Sequence, residues 1–252
     1  MHGWNFDITE SDRGAEASPA LAFELAAATP SERLLITRAR TRPRSRQGRR
    51  GEIAGRTIDL VLALVLVVAL LPLLALLALA IAIFDPGPVF FAHRRVGLGG
   101  QPFKCYKFRT MRVGAEAEIA ALLASSPQLR AEWAIGQKLE RDPRVSSLGR
   151  LLRAMCLDEL PQLFNVLTGD MSLVGPRPIT AEELPRYRRH VASYLSVRPG
   201  LTGLWQISRC RETTYRRRVA TDVLYVRRKS LALDCRILLA TIPAVLVGKA
   251  SF

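Results

Sequence analysis

The sequence predicts a mixed α/β fold, mainly helical with short strands and one hairpin, associated with a membrane through a proline-broken re-entrant N-terminal helix. Three observations predict it. Twenty-five consecutive residues, Leu60–Phe84, carry no charge and have Pro72 at their midpoint. Short apolar runs flank Gly97-Leu98-Gly99-Gly100, the pattern of a hairpin. Beyond them, helical periodicity is repeatedly cut by Pro and Gly.

Composition bounds the rest. A chain of 252 residues, 49% apolar, holds one or two domains with a real core. Lys and Arg number 37 against 22 acids, a net of +15, which calls for an anionic partner: a phosphate-bearing substrate, anionic lipid or nucleic acid. Cys105, Cys156, Cys210 and Cys235 lie far apart, and His2, His93 and His190 are scattered. That spacing argues against a structural zinc site and a disulfide-stapled secreted fold, leaving the reducing cytoplasm for the bulk of the chain.

Residues 1–51 read as a polar, Arg-rich extension, disordered in isolation, with one short helical stretch at Leu21–Ala28. Seven arginines fall between Arg38 and Arg50 with no acid among them. Such a run repels itself, and directly before an apolar segment it marks anionic headgroups on the cytoplasmic side. A nucleic-acid arm is the competing reading, weakened by the lack of interleaved aromatics.

Residues 52–86 read as the membrane helix. As one helix, Leu60–Phe84 would extend about 37 Å, against a hydrocarbon core of about 30 Å. The next charges beyond Asp85 are again basic, from Arg94 and Arg95 to Arg112. Both flanks therefore look cytoplasmic, and a helix bent at Pro72 that enters and leaves by one face satisfies both.

Residues 87–252 read as a globular cytoplasmic domain with interfacial helices. Strands are expected at Val89–Phe91, Phe103–Phe108 and Ser172–Val174. Helices are expected at Ala115–Ala124, Gln128–Ile135, Leu148–Met155, Glu159–Leu167 (ended by Gly169), Ala181–Val197 and Leu231–Val247. Pro199-Gly200 reads as a turn, and the last helix as interfacial or packed.

The densest polar cluster in apolar surroundings is Arg150, Arg153, Asp158, Glu159, Gln162, Asn165 and Asp170. Proline is tolerated in the first turn of a helix, so Pro161 puts Asp158 at or near an N-cap, where the helix dipole favours its ionised form. An ordinary capping aspartate followed by a first-turn glutamate is one reading. The other is a carboxylate nucleophile, with a second carboxylate beside it to hold a divalent cation; magnesium suits carboxylates plus substrate phosphates.

The surrounding motifs decide between them. Gly87-Pro88-Val89-Phe90-Phe91, Arg95-Val96-Gly97 and Lys107-Phe108-Arg109-Thr110-Met111 come first. Asp142-Pro143-Arg144-Val145 leads through Gly149-Arg150-Leu151-Leu152-Arg153 to Leu157-Asp158-Glu159-Leu160-Pro161-Gln162. Asn165 through Gly175-Pro176-Arg177-Pro178, and Arg198-Pro199-Gly200-Leu201-Thr202-Gly203-Leu204-Trp205-Gln206, complete the series. Over about residues 52–252 the chain resembles the bacterial sugar transferases, the monotopic polyprenyl-phosphate phosphoglycosyl transferases.

The resemblance implies transfer of sugar-1-phosphate from a UDP-sugar to polyprenyl (undecaprenyl) phosphate, with release of UMP through a phospho-aspartyl intermediate. This would be the first membrane step of exopolysaccharide, O-antigen, capsule or glycoconjugate assembly. By motif position it implies Asp158 as nucleophile and Glu159 as its partner, both toward Mg2+. Arg153 and Arg177 match phosphate-binding arginines, and Lys107 and Arg109 lie in the site's Lys-Phe-Arg motif. Pro199, Gly200, Thr202 and Gln206 match part of the nucleotide pocket, and Pro72 matches the membrane-helix break. The implied location is the bacterial inner membrane, with the catalytic domain on the cytoplasmic face, inner-membrane lipids around it and no nucleic acid. Two departures stand out: Leu71 precedes Pro72 where the family usually has Ser, and Ile207-Ser208-Arg209-Cys210 follows Gln206 where a Gly-Arg pair is common. The contrasting hypothesis is a non-enzymatic, membrane-anchored basic scaffold binding nucleic acid or anionic lipid. It accounts for the charge but not for the Asp158-Glu159 cluster.

Overall fold

The computed structural model describes residues 46–136, 139, 141–208 and 214–246. The expected disorder of the extension up to residue 45, the helix at Leu21–Ala28 and the arginines from Arg38 to Arg44 lie outside these residues.

The first helix, α1, spans Arg46–Phe84 and so begins inside the stretch assigned to the extension. Its 39 residues correspond to about 58 Å. It runs through Pro72 as one element, so the expected break there is not confirmed. Proline removes a single amide donor, and packing to either side holds the flanking turns. Ala63, Leu74 and Ile81 are buried, and Val67, Leu70 and Leu77 are partly covered. These positions recur at steps of four and three, which makes one stripe of a helix. The other faces are apolar as well and stay bare, among them Val61, Val65, Val68, Leu76 and Phe84. The helix is thus apolar all round and, by length and composition, long enough to cross a membrane, with one stripe seated on protein.

Polar contacts fasten both ends of that helix's apolar segment to one domain. Near its start, Arg56 donates to the Val166 and Met171 carbonyls at 2.7 and 3.2 Å. Asp59 accepts from Ser172 Oγ at 2.7 Å and from the Leu173 amide at 3.1 Å. Just past its end, Asp85 pairs with Arg109.

The hairpin follows. Strands β1 (Phe90–Val96) and β2 (Pro102–Phe108) are antiparallel, from Phe90 opposite Phe108 to Val96 opposite Pro102. The first strand is longer than its apolar run, because His93, Arg94 and Arg95 continue it. Helices α2 (Ala115–Ser125), α3 (Pro127–Gly136) and α4 (Ser147–Ala154) match expectation within two residues. Ser146 caps α4 by accepting from the Gly149 amide at 2.9 Å.

The expected helix from Glu159 is split. A single 3-10 turn, Leu157–Glu159, precedes α5, which spans Gln162–Thr168 and closes on Gly169 at φ 97°. Strand β3 (Ser172–Val174) pairs in parallel with β4 (Gly200–Thr202), so the expected turn at Pro199-Gly200 leads straight into a strand. Backbones pack tightly there: a Cβ on Gly200 would lie 2.0 Å from the Gly175 nitrogen, and one on Gly203 2.1 Å from the Gly175 oxygen.

The expected helix at Ala181–Val197 is instead a 3-10 segment, Leu184–His190, and a short α6, Val191–Leu195, with Arg188 at φ 48° between straighter stretches. Thr180 and Glu183 bond each other's amides reciprocally and start a turn, but Pro185 has no amide to extend it as a helix. Helix α7 (Leu204–Ile207) precedes α8 (Tyr215–Arg228), which charge patterning did not reveal, and α9 (Leu231–Leu246).

The core that carries the site joins Ala63 of α1, Phe103 and Cys105 of β2, Leu163 and Val166 of α5, Met171, Leu173, Tyr225 of α8 and Ile237 of α9. A second cluster gathers Val96, Ile179, Tyr187, Tyr194, Val219 and Val223.

Candidate active site

Three elements meet at the acidic pair: the end of β2, the 3-10 turn Leu157–Glu159, and the loop after β3. The turn is entered at Cys156, whose φ of 57° reverses the chain after α4. Asp158 is therefore inside the turn, four residues before α5, and not at that helix's N-cap. Pro161 holds the cap position and supplies no side-chain bond.

Asp158 and Glu159 are 8% and 5% exposed, which is unusual for carboxylates without close cations. The cations are present. Lys107 Nζ lies 2.5 Å from Glu159 Oε1 and 3.9 Å from Asp158 Oδ2. Arg177 reaches Glu159 Oε1 at 3.7 Å. Glu159 is thus tied to two cations, whereas the nearest cation to Asp158 stays beyond hydrogen-bond reach.

Burial is the largest influence on Asp158 and pushes its pKa up; Lys107 pulls it back down, Glu159 raises it, and Arg153 and Arg177 lower it. The helix-dipole depression expected for a capping aspartate is replaced by this balance.

Arg153 stands beside the pair on α4. Its Nε donates to Thr110 Oγ1 at 2.8 Å, and burial lowers its pKa while Asp158 raises it. Thr110 in turn explains Gly149: a Cβ there would sit 2.0 Å from the Thr110 carbonyl, so only glycine lets α4 approach this closely. Thr110, which the sequence offers only inside a motif, is the partner that orients Arg153.

Arg109 goes elsewhere. Strand β2 stops at Phe108, so the alternation that would put Arg109 on the face of Lys107 ends before it. Its guanidinium is buried against Asp85, bonding the Asp85 carbonyl and lying 3.5 Å from the carboxylate. The structure therefore gathers Lys107, Arg153 and Arg177 around the acids and leaves Arg109 as a fastening for the end of α1.

The predicted nucleotide-pocket residues have structural ties of their own. The Pro199 carbonyl accepts from the Ser172 amide, and Gly200 backs onto Gly175. Thr202 Oγ1 meets Thr241 Oγ1 at 2.8 Å, and Gln206 donates to the Leu201 carbonyl while its Oε1 is buried without a partner. Their bonds run to β3, the loop after it, α9 and their own loop rather than to the acids. Asn165, wholly buried, pins β2 by accepting from the Tyr106 amide and donating to the Lys104 carbonyl. Arg150 is exposed and bonds the Val145 carbonyl, away from the cluster sequence proximity suggested.

Among the described residues, no group of three or more His, Cys, Asp or Glu side chains forms a metal cage. Two adjacent carboxylates remain, a donor set that fits a hard divalent cation sharing its other ligands with phosphate and water. With three cations around two acids, the arrangement receives further negative charge favourably.

Comparison with known proteins identifies the relatives. The family model described as "Bacterial sugar transferase" matches residues 50–248. The "Exopolysaccharide production protein ExoY" of Sinorhizobium fredii is 44% identical over 202 residues, 80% of this chain and 89% of that protein. The "Undecaprenyl-phosphate galactose phosphotransferase" of Salmonella typhimurium is 46% identical over 191 residues, 76% of this chain but 40% of its own length. The "UDP-glucose:undecaprenyl-phosphate glucose-1-phosphate transferase" of Caulobacter vibrioides is 40% identical over 203 residues, 77% of this chain and 70% of its own. Nothing among these names supports a non-enzymatic scaffold.

Proposed function

Because the chain belongs to the bacterial sugar transferase family, we propose that it moves a sugar-1-phosphate from a UDP-sugar onto undecaprenyl phosphate and releases UMP. The carrying observation is the buried Asp158-Glu159 pair with Lys107, Arg153 and Arg177 around it, one acid tightly paired and the other left loose. The names of the relatives support the lipid acceptor, and two of them name galactose and glucose donors or products.

In this reading Asp158 attacks the sugar-bearing phosphorus of the donor. The bond from that phosphorus to the oxygen bridging the two phosphates breaks, and UMP leaves with the electron pair. An oxygen of undecaprenyl phosphate then attacks the phospho-aspartate, forming the lipid diphosphate-sugar and returning the Asp158 carboxylate. Lys107 and Arg177 hold Glu159 and face the phosphoryl oxygens, where guanidinium and ammonium groups offset growing charge. Arg153, oriented by Thr110, does the same from α4. Asp158 and Glu159 would hold Mg2+, which when bound neutralises phosphate charge.

The membrane course follows the same reasoning. Arg56 and Asp59 at one end of the apolar segment and Asp85 at the other bond a single domain, which supports both ends lying on the catalytic, cytoplasmic side of an inner membrane. The test of function is UMP release by the full chain with undecaprenyl phosphate and a panel of UDP-sugars, with and without Mg2+. Release that needs both the lipid phosphate and one UDP-sugar is the expected result; no release with any donor overturns the proposal.

A further inference from the structure

A second concentration of positive charge lies outside the acidic site and shares no residue with it. A hollow of about 400 Å³ opens between the 3-10 segment Leu184–His190 and the start of α8. Arg186, Arg188, Arg189, His190 and Arg216 line it, and no Asp or Glu does among the described residues. The acids packed close by are already engaged: Glu183 with Arg95 and Arg218, Asp222 with the Tyr187 hydroxyl.

The lining arginines are exposed to solvent, and two contacts orient part of the rim. The Arg186 guanidinium rests 4.9 Å over the Tyr215 ring, and Arg189 Nε lies 3.4 Å from His190 Nε2. Arg188 sits at φ 48°, ψ −128°, a conformation that residues with a side chain rarely adopt. Strain of this kind persists where the surroundings impose it and often marks a ligand clamp. Arg216 stands in the first turn of a 14-residue helix, where the dipole also favours negative charge. Water screens the repulsion among these exposed charges, and an anion seated in the hollow gains attraction from several of them at once.

We propose that this hollow binds a phosphate-bearing anion, with Arg188 and Arg216 as principal contacts. Two sources share that chemistry: the headgroup of an anionic phospholipid and a soluble phosphate or diphosphate.

The test is phenylglyoxal modification of arginines in the full chain, read by peptide mass spectrometry. Arg227 and Arg228, exposed at the far end of α8, serve as references. In detergent, inorganic pyrophosphate is compared with chloride at equal ionic strength. In parallel, nanodiscs containing phosphatidylglycerol are compared with nanodiscs of phosphatidylcholine alone. Protection of Arg188 and Arg216 by about threefold or more, without matching protection of Arg227 and Arg228, is expected for a forked phosphate contact. Protection in the phosphatidylglycerol discs without pyrophosphate assigns the headgroup; protection by pyrophosphate alone assigns the soluble anion. In Arg188→Gln, the protection of Arg216 should fall away. Equal slowing of all four arginines, or slowing of none, overturns the proposal, and these arms decide it even if the variant fails to fold.

Discussion

Two of the buried charged clusters among the described residues differ in how closely their acids are bonded, and under the proposed function that difference separates chemistry from architecture. Around Tyr187, Asp222 accepts a 2.6 Å bond from the tyrosine hydroxyl, and Glu183 takes Arg95 and Arg218 as well as the Thr180 amide. Every acid there is closely bonded. At the 3-10 turn, Glu159 is equally well bonded, but Asp158 stands 3.9 Å from its nearest cation. Burial raises the pKa in both clusters, to about 6 for Asp222. A shifted carboxyl therefore does not by itself mark the reacting residue. Under the proposed function, the mark is a buried carboxylate whose surrounding cations have not closed on it.

Breaking the comparison begins with one substitution on each side. Asp158→Asn should cost about a thousandfold or more in UMP release, since an amide is a poor nucleophile. Asp222→Asn keeps an acceptor for Tyr187 and should leave the rate within about threefold. It should change stability instead. A carboxyl with a raised folded pKa loses stability as pH rises from the ordinary 3.8 toward about 6, and the variant should lack that slope in thermal melts. If Asp222→Asn silenced the enzyme while still folded, the division between clusters would be wrong.

Glu159→Gln sharpens the contrast within the site. It removes the charge that Lys107 and Arg177 hold, and should cost about a hundredfold in rate and weaken the response to added Mg2+. An unchanged magnesium titration would reduce Glu159 to a structural partner of Lys107.

Arg153→Lys and Arg177→Lys should each cost about tenfold, because an ammonium cannot reproduce the guanidinium fork on phosphate. Arg109→Lys is the internal control. Its guanidinium faces Asp85, so its effect should appear in thermal stability more than in KM. Near-normal kinetics for Arg153→Lys or Arg177→Lys would take that arginine out of the site.

The pH profile gives a smaller effect with a fixed sign. As the proposed nucleophile Asp158 would have to be ionised, and burial lifts its pKa, so the acid limb of kcat/KM should lie above the ordinary aspartate range. Lys107 is the largest opposing influence, and Lys107→Met should move the limb to still higher pH. A downward shift would contradict the assignment of that limb to Asp158.

The sequence disclosed these clusters unequally. The acidic pair was legible because two adjacent carboxylates, Pro161 and flanking arginines form a local pattern. What the pattern missed was conformation: the αL residue Cys156 puts Asp158 in a separate turn, and strand β2 ends one residue too early to carry Arg109 inward. The Tyr187 cluster was not legible. Its members come from β1, the 3-10 segment and α8, and α8 itself was hidden because Arg216, Arg217 and Arg218 crowd its first turn. Long-range anchors were missed for the same reason. Nothing in the spacing of Arg56 and Asp59 reveals that their partners lie more than a hundred residues away.

Those anchors frame the smallest expected effect. In a helix interior proline costs about 3 kcal/mol, so Pro72→Ala would be expected to straighten and strengthen α1. Yet α1 already runs through Pro72, and its stripe from Ala63 to Ile81 packs on the catalytic domain. Arg56, Asp59 and Asp85 bind both ends to that domain, so a straighter helix still has nowhere to send its N-terminus. Pro72→Ala should therefore keep UMP release within about twofold and leave sidedness unchanged. Sidedness is read with Thr41→Cys, the native cysteines replaced, using a membrane-impermeant thiol reagent on intact and lysed cells. Labelling only after lysis is expected with and without Pro72. Labelling of intact cells with Pro72 in place would mean a spanning helix; labelling only in Pro72→Ala would mean that the proline, and not the polar anchors, holds the two ends on one side.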